Sequence, residues 1–340
     1  VSVPVISSNR INDPREGEEI LRNGSADLVT MARALIADPE MPNKAMNGKS
    51  NTIYHCIACN EGCFDMIFTG NPVTCMVNPR AGIEKDTEII IADKRKKVLV
   101  IGGGPAGMKA ACTAAERGHR VILAEKDDRL GGQILLNRKI PGRREMVTAA
   151  EDLIRNLNEL NVEILLEKTV DPDFVKELSP DAVIIATGAS PLMPDIEGIA
   201  DKRVITAWDI LAGLGRPGKR IAVIGGNAVG LETALYLACI GTISPETLHF
   251  LAAHKAETWD TLEILINKGI KEVTVVEMLT KYGTDIGAST RWTILDELKR
   301  RGVRIVAGAR AVAVKKEGLE IEKEEKREII PVDTIVIAAG

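Results

Sequence analysis

The chain has 340 residues, of which 45% are hydrophobic and 27% charged, so it is long enough for two or three domains with real cores. The net charge of −4 is spread without long single-sign blocks, which excludes the footprint of a protein that binds nucleic acid or an anionic membrane. We find no membrane-length apolar run or secretory leader and expect a cytoplasmic protein, and six cysteines in 340 residues disfavour a disulfide framework.

The first 45 residues alternate strands with helices, as parallel β/α units do. VPVISS and ADLVTMA are apolar strands, DPREGEEILRNG is a helix that ends at Gly24, and DPEMPNKAMNG is a further helical segment. Two such units cannot close a sheet or a barrel. Because the chain starts in one apolar run and stops at the end of another, TIVIAAG, we expect a fragment of a longer protein.

The next segment contains four cysteines with the spacing C-x2-C-x3-C-x11-C: Cys56, Cys59, Cys63 and Cys75. Zinc sites usually pair two C-x2-C knuckles, whereas one compact loop plus a later cysteine is typical of iron–sulfur ligation. The spacing favours a [4Fe–4S] cluster and leaves zinc and unligated thiols as alternatives. We expect Cys112 and Cys239, on Ala-rich helices, to be core residues.

A glycine-rich turn follows the predicted strand KVLVI and opens an Ala-rich helix. Gly102, Gly104 and Gly107 form G-x-G-x-x-G, in which the first glycine allows a tight turn, the second lets a pyrophosphate approach and the third permits close helix–strand packing. Glu125, at the end of the next strand, is placed to accept hydrogen bonds from a ribose. Together these features predict a dinucleotide site.

The unit is repeated in RIAVIGGNAVGLETALYLA and KEVTVVEM. The separation from Gly230 to Glu277 in the second copy exceeds that from Gly107 to Glu125 in the first, and an insertion over 241–269 accounts for the whole excess. From the acidic residue to the last strand, VIIATG in the first copy and IVIAAG in the second, the two copies have equal lengths. We therefore expect the copies to match position for position, with the insertion forming a surface hairpin of two helices.

The second copy keeps Gly225 and Gly230 but has Asn227 in place of the middle glycine. Asn tolerates positive φ better than most residues, although its side chain crowds the closest approach to the backbone. Nucleotide binding is favoured here, with a decayed structural copy as the alternative. Glu277 would bond a free 2′-hydroxyl and repel a 2′-phosphate, which favours NADH over NADPH, although Lys281 lies close by.

These motifs carry a family resemblance. KVLVIGGGPAG, EKDDRLGGQ and VIIATG resemble the FAD half of two-dinucleotide flavoprotein reductases, and IAVIGGNAVG with VTVVE resembles the NAD(P)H domain inserted into it. SSNRI, MARALIADP and the cysteine stretch followed by MVNPRA are similar to the NADH:flavin oxidoreductase group of 2-enoate reductase, 2,4-dienoyl-CoA reductase and trimethylamine dehydrogenase. The insertion and DIGASTRW resemble the 2-enoate reductase-like members.

The resemblance implies an α/β fold in which the end of a (β/α)8 barrel is followed by an iron–sulfur connector and two Rossmann-like domains. The implied bounds are 1–45 for the last units of an incomplete FMN barrel, 46–92 for the connector, 93–200 for an incomplete FAD domain, 201–330 for the NADH domain and 331–340 for a strand that returns to the FAD domain.

The resemblance also implies site residues. For FMN phosphate these are Asn9, Arg10, Ala32 and Arg33, with a surface ion pair as the alternative role of Arg33. For FAD they are the amide of Ala106 and the residues Glu125, Gln133, Arg144 and Val170. The barrel acids that would protonate a substrate lie outside these residues, so no catalytic proton donor is named.

The implied function is electron transfer from NADH through FAD and the [4Fe–4S] cluster to FMN, for reduction of the C=C bond of a small α,β-unsaturated carboxylate or thioester. We expect no nucleic-acid or membrane partner and leave a homo-oligomer open. One alternative is a 2,4-dienoyl-CoA reductase, and an amine dehydrogenase is less favoured. Another is an electron-input module like the small subunit of glutamate synthase, which has no substrate site of its own.

Overall fold

The structure is a computed structural model that describes residues 2–339. The outer ends of the first and last predicted segments, residues 1 and 340, lie outside the described residues. The chain divides into two compact units, the first of residues 2–138 and 143–189 and the second of residues 139–142 and 190–339. Among the described residues no helix is both long and apolar enough to cross a membrane.

The first unit begins with two short parallel strands, as the sequence predicts. Pro14 opens the first helix, Asp13 and Glu16 form a capping box at its start, and Gly24 follows its end with φ +65°. The elements of this part are β1 Ile6–Ser7, α1 Pro14–Arg22, β2 Leu28–Val29, α2 Arg33–Ala37, α3 Met41–Met46 and α4 Phe64–Ile67.

The rest of the first unit is a parallel sheet with the strand order β5-β4-β3-β6. Its two central strands, β3 and β4, are buried on both faces, as parallel strands packed between helices require. Cys112 is fully buried in one of these cores, as predicted. The elements are β3 Lys97–Ile101, α5 Pro105–Glu116, β4 Arg120–Ala124, α6 Thr148–Glu159, β5 Glu163–Leu165, α7 Pro172–Leu178 and β6 Ala182–Ile185.

The second unit has a five-stranded parallel sheet, β10-β9-β8-β14-β7, and a three-stranded antiparallel sheet, β11-β12-β13. Its strands are β7 Val204–Thr206, β8 Arg220–Ile224, β9 Glu272–Glu277, β10 Arg304–Ala307, β11 Ala309–Lys315, β12 Gly318–Lys323, β13 Lys326–Ile330 and β14 Thr334–Ile337. Its helices are α8 Ala207–Ala212, α9 Ala228–Cys239, α10 Pro245–Ala253, α11 Trp259–Asn267 and α12 Ala288–Arg300. The two faces of the large sheet form separate apolar cores, and Cys239 packs against one of them.

The last strand corrects one predicted boundary. We expected residues 331–340 to return to the FAD domain, but β14 pairs in parallel with β8 and β7 inside the second unit. The repeat explains this position, because β14 holds the place in the second sheet that β6 holds beside β3 in the first.

The match between the copies is also less complete than the equal separations in the sequence suggest. The connection from Glu125 to β5, which starts at Glu163, is longer than the connection from Glu277 to β10, which starts at Arg304. The first copy then reaches its last strand through α7, and the second through the β11–β13 meander. The turn, the acidic residue and the last strand correspond, but the connections between them differ.

The insertion forms the predicted pair of helices, α10 and α11. It connects the carboxyl end of α9 to the amino end of β9, which is the sheet edge opposite the glycine turn. Because α9 has 12 residues, it is about 18 Å long. The base of the insertion is therefore remote from the turn, and its residues His249, His254 and Trp259 are exposed.

Candidate functional site

The first glycine turn has the geometry that its sequence predicts. Gly102 has φ +109°, and a Cβ there would lie 2.3 Å from the oxygen of Ala186. A Cβ on Gly107 would lie 1.9 Å from the oxygen of Gly102. Gly104, in contrast, has ordinary extended backbone and nothing within 4 Å of its Cβ position, so this side of the turn is open. The turn thus presents the start of α5 to its surroundings, as an anion site requires.

Glu125 is buried beside this turn. Its Oε2 accepts a hydrogen bond from the N–H of Gly103 at 2.6 Å, and its Oε1 accepts one from the N–H of Asp127 at 2.9 Å. A carboxylate has about four acceptor positions, so two remain for ribose hydroxyls. Glu125 therefore fixes the turn to the end of β4 and keeps acceptors for the predicted ribose contact.

The second turn repeats these contacts atom for atom. Glu277 Oε2 accepts from Gly226 N at 2.6 Å and Oε1 from Leu279 N at 2.8 Å. A Cβ on Gly230 would lie 1.9 Å from the oxygen of Gly225, which has φ +112°. The steric reasons for glycine are therefore the same in both copies.

Asn227 corrects an expectation about the middle position. Its φ of −78° shows that positive φ is not needed there. Its side chain instead caps α9: Oδ1 accepts from Gly230 N at 2.9 Å, and Nδ2 donates to the oxygen of Ala338 at 2.8 Å. Asn is a favoured helix cap, so the signal was present in the sequence but was not used.

Asp285 is a second side chain at this helix start that sequence reasoning missed. Both of its carboxylate oxygens accept from Ala228 N, at 3.1 and 2.9 Å. No side chain caps α5 in the first copy. The two turns therefore share a backbone but differ in what lies at the amino end of the helix.

The other predicted FAD residues are distributed unevenly. Ala106 lies in the first turn of α5, and Gln133 Nε2 donates to the oxygen of Ala189 at 3.2 Å. Arg144 lines a separate cavity of about 710 Å³ with Arg138 and other residues. Val170 packs on an apolar core at the other face of the sheet. Ala106 therefore lies at the turn itself, whereas Arg144 and Val170 have different surroundings.

The four cysteines line one small cavity, together with Arg33 and Asn60. Thr74 brings the distant Cys75 to the loop, because its N–H donates to the oxygen of Gly62 at 2.6 Å. The cavity-lining cysteines are all free thiols: Cys56, Cys59, Cys63 and Cys75. A backbone hydrogen bond thus returns the chain to the loop just before Cys75, although eleven residues separate Cys75 from Cys63. The four cysteine side chains line the same cavity.

The chemistry of this donor set fits a cluster. Four thiols that line one cavity are the ligand set of a [4Fe–4S] cluster, and zinc takes the same ligand type. The Ala58 N–H already donates to Cys56 Sγ at 3.4 Å, a contact that tunes cluster sulfurs. Burial raises the pKa of Cys59 to about 11, so ligation there would release a proton.

Polar side chains clamp the chain just before Cys56. Asp152, fully buried on α6, accepts from His55 N at 2.6 Å and contacts His55 Nδ1 at 3.0 Å. The hydrogen bond with Asp152 raises the pKa of His55, against the effect of burial. Asn12 makes two hydrogen bonds with the backbone of Cys56, both 2.9 Å. The cysteine loop is therefore fixed from two sides.

The four predicted FMN-phosphate residues line one cavity of about 290 Å³: Asn9, Arg10, Ala32 and Arg33. Arg33 Nη1 donates to Asn60 Oδ1 at 2.7 Å, so its guanidinium contacts the cysteine loop. Arg10 pairs with Glu145. Arg33 and Cys56 line both this cavity and the cysteine cavity, which makes the two sites neighbours.

Comparison with known proteins gives two family matches. Residues 1–52 match the family described as NADH:flavin oxidoreductase / NADH oxidase, and residues 96–340 match the pyridine nucleotide-disulphide oxidoreductase family. The chain is 43% identical over 344 residues to a protein of Desulforamulus reducens named metal reductase, with 100% of this chain and 52% of that protein covered. It is 33% identical over 351 residues to a cinnamate reductase of Clostridium sporogenes, with 100% and 47% covered.

A solved structure of 2-naphthoyl-CoA reductase in complex with 2-naphthoyl-CoA has 32% identity and a TM-score of 0.86, with 100% of this chain and 48% of that chain covered. The chain thus spans about half the length of these relatives. The α/β fold and the resemblance to flavin oxidoreductases of the enoate-reductase kind are confirmed. The chain belongs to the pyridine nucleotide-disulphide oxidoreductase family over residues 96–340, and its residues 1–52 are a segment of the NADH:flavin oxidoreductase family.

Proposed function

We propose that the chain is the electron-input part of an NADH-dependent flavin enzyme that reduces C=C bonds of α,β-unsaturated carboxylates or thioesters. In this proposal the second glycine turn binds NADH, the first binds FAD, the four cysteines hold a [4Fe–4S] cluster and the Asn9–Arg33 cavity receives the FMN phosphate. When bound, FAD would accept a hydride from NADH, the cluster would carry single electrons and FMN would reduce the substrate.

One observation carries the proposal. Arg33 and Cys56 each line both the cysteine cavity and the cavity proposed for FMN phosphate. A cluster ligand beside the flavin site leaves a short path for electrons. The contact from Arg33 to Asn60 and the two contacts from Asn12 to Cys56 hold that path in place.

The residues of the chain have defined tasks in this proposal. Glu277 would accept hydrogen bonds from the ribose of NADH and repel a 2′-phosphate, and Glu125 would accept those of FAD. Arg10 and Arg33 would neutralise the FMN phosphate. Asp152 and Asn12 would keep Cys56 at the boundary between the cluster and the flavin.

The substrate class is supported by relatives. One relative is named cinnamate reductase, and the solved structure is a complex of 2-naphthoyl-CoA reductase with its thioester. Cinnamate is an α,β-unsaturated carboxylate and 2-naphthoyl-CoA a conjugated thioester. Both chemistries fit reduction by flavin at a carbon conjugated to a carbonyl group.

A second candidate is delivery of electrons to an external metal ion as substrate. The observation that favours it is the 43% identity to the Desulforamulus reducens protein named metal reductase, over the whole of this chain. Because relatives with different names share this half, the half described here would supply electrons in either case. The acceptor would be decided elsewhere in the longer protein.

The test is a cofactor count on the full-length protein, purified without oxygen. Four irons with one FMN and one FAD per chain, together with NADH-dependent reduction of cinnamate, are the expected result. FAD and iron without FMN would contradict the proposal and would indicate instead an electron-input module that has no substrate site of its own. Zinc without iron would overturn the electron path.

A cysteine variant tests the path itself. Cys59→Ser should remove the broad visible absorbance of the cluster and slow FMN reduction by NADH, because one of the four ligands is lost. FAD reduction by NADH should survive, since the glycine turns are untouched. Cys239→Ser, at a cysteine packed beside the core of the second unit, is the matched control and should retain iron. Rapid FMN reduction in the Cys59→Ser protein would argue against the cluster as relay.

A further inference from the structure

The segment after β9 lies across the second glycine turn. Gly283 donates its N–H to the oxygen of Gly226 at 2.7 Å, and two residues later the carboxylate of Asp285 accepts from Ala228 N at 3.1 and 2.9 Å. Ala228 is the first residue of α9, so its N–H is one of the unpaired donors at a helix start that bind the pyrophosphate of a dinucleotide. A carboxylate therefore occupies the place at which the anion of the nucleotide is expected to bind.

The first copy has the same segment with a neutral side chain. Gly131 donates to the oxygen of Gly103 at 2.9 Å, which is the contact that Gly283 makes in the second copy. Two residues further stand Gln133 in the first copy and Asp285 in the second. Gln133 donates to a main-chain carbonyl outside the turn at 3.2 Å and leaves α5 without a side-chain cap. The internal repeat therefore places Asp285 at the nucleotide site. The negative charge of its side chain distinguishes this position from Gln133 in the first copy.

We propose that Asp285 determines the affinity of the pyridine-nucleotide site, because its carboxylate holds the Ala228 N–H in the free protein and leaves it when the pyrophosphate of NADH binds. Two anions cannot share one amide without repulsion. Asp285 is exposed, so its side chain can turn into water. The neutral amide oxygen of Asn227 accepts a hydrogen bond from Gly230 N in the same helix. Because it carries no charge, it repels the pyrophosphate less than the carboxylate of Asp285 does. The inference rests on the proposed NADH site of the second copy.

The test uses the full-length protein and rapid anaerobic mixing with NADH. The rate of FAD reduction as a function of NADH concentration gives the Kd for NADH and the limiting rate constant separately. Asp285→Ala should lower the Kd about fivefold, the size of a typical helix-cap interaction, and leave the limiting rate constant unchanged. Asp285→Asn keeps an acceptor without the charge and should give an intermediate Kd.

Asp260→Ala is the matched control, because Asp260 is another exposed carboxylate of the second unit that lies on α11. Its Kd for NADH should equal that of the unmodified protein. An unchanged Kd in Asp285→Ala would overturn the inference, and a raised Kd would show instead that the carboxylate helps to bind the nucleotide. If NADH fails to reduce the flavin of the unmodified protein, the proposed function fails and the inference with it, so the two failures are distinguishable.

Discussion

The two glycine turns share one backbone but differ at the helix that follows. In both, a buried glutamate accepts from two main-chain amides and the outer glycines leave no room for a Cβ. The helix start is uncapped in the first copy and held by Asn227 and Asp285 in the second. The turn therefore requires glycine at its outer positions for steric reasons. The middle position can vary, because its backbone has ordinary angles in both copies.

The largest expected effect comes from the third glycine of each turn. Gly107→Ala and Gly230→Ala each place a Cβ 1.9 Å from a carbonyl oxygen of the turn, which should cost about 3 kcal/mol or more of stability. The helix propensity gained, about 1 kcal/mol, is smaller. FAD content after purification should fall in the first variant, and NADH-dependent FAD reduction should fail in the second.

Gly104→Ala is the control for these substitutions, because nothing lies within 4 Å of its Cβ position. Because Gly104 is the N-cap of α5 and Ala is a poorer cap than Gly, its unfolding free energy should fall by about 1 kcal/mol, well below the loss at the third glycines. A Gly107→Ala protein that retains FAD and full stability would show that the turn is not closed as described.

An intermediate effect is expected at the acidic residues. Glu277→Ala leaves the amides of Gly226 and Leu279 without their acceptor, which should cost about 1–3 kcal/mol. NADH affinity should fall while NADPH affinity stays equal or improves, because repulsion of the 2′-phosphate is removed. Titration with both nucleotides measures this, and Glu272→Ala, at an exposed residue of the same strand, is the control.

Glu125→Ala sharpens the comparison, since it makes the same change in the first copy. It should lower FAD content and leave the preference between NADH and NADPH unaltered. Loss of NADH preference in Glu125→Ala would contradict the assignment of the two turns to different nucleotides.

The smallest effect is expected at the middle position. Asn227→Gly converts the second turn to the pattern of the first, and because Gly is itself an acceptable cap the helix should lose only a few tenths of a kcal/mol. The lost bond from Nδ2 to Ala338 adds about 1 kcal/mol. Differential scanning calorimetry should show a small decrease in the unfolding temperature. An increase would mean that the cap is strained.

Sequence patterns predicted the elements that depend on nearby residues. The strand, turn and helix of each copy and the two-helix insertion all follow from local spacing. Two expectations were wrong: that the last strand returns to the FAD domain, and that the two copies match position for position. Segments with equal numbers of residues need not follow the same path through the fold. The equal separation from the acidic residue to the last strand contains a long connection followed by α7 in the first copy, and a shorter connection followed by the β11–β13 meander in the second.

Sequence patterns could not predict the contacts that fix the candidate sites. Asp152 and His55 are 97 residues apart in the chain, and Asp285 and Ala228 are 57 apart. Each contact joins a side chain to a main-chain amide, and almost any amide in the chain could have been that partner. Only the fold selects which amide is within reach.

The base of the α10–α11 hairpin makes the insertion separable from the rest of the second unit. Ile270 N donates to the oxygen of Ile240 at 2.8 Å, so the chain leaves and re-enters the sheet layer at almost one point. A segment with adjoining ends can be gained or lost without rearranging the strands beside it. A variant that joins Ile240 directly to Ile270 should therefore lose α10 and α11 and keep the five-stranded sheet.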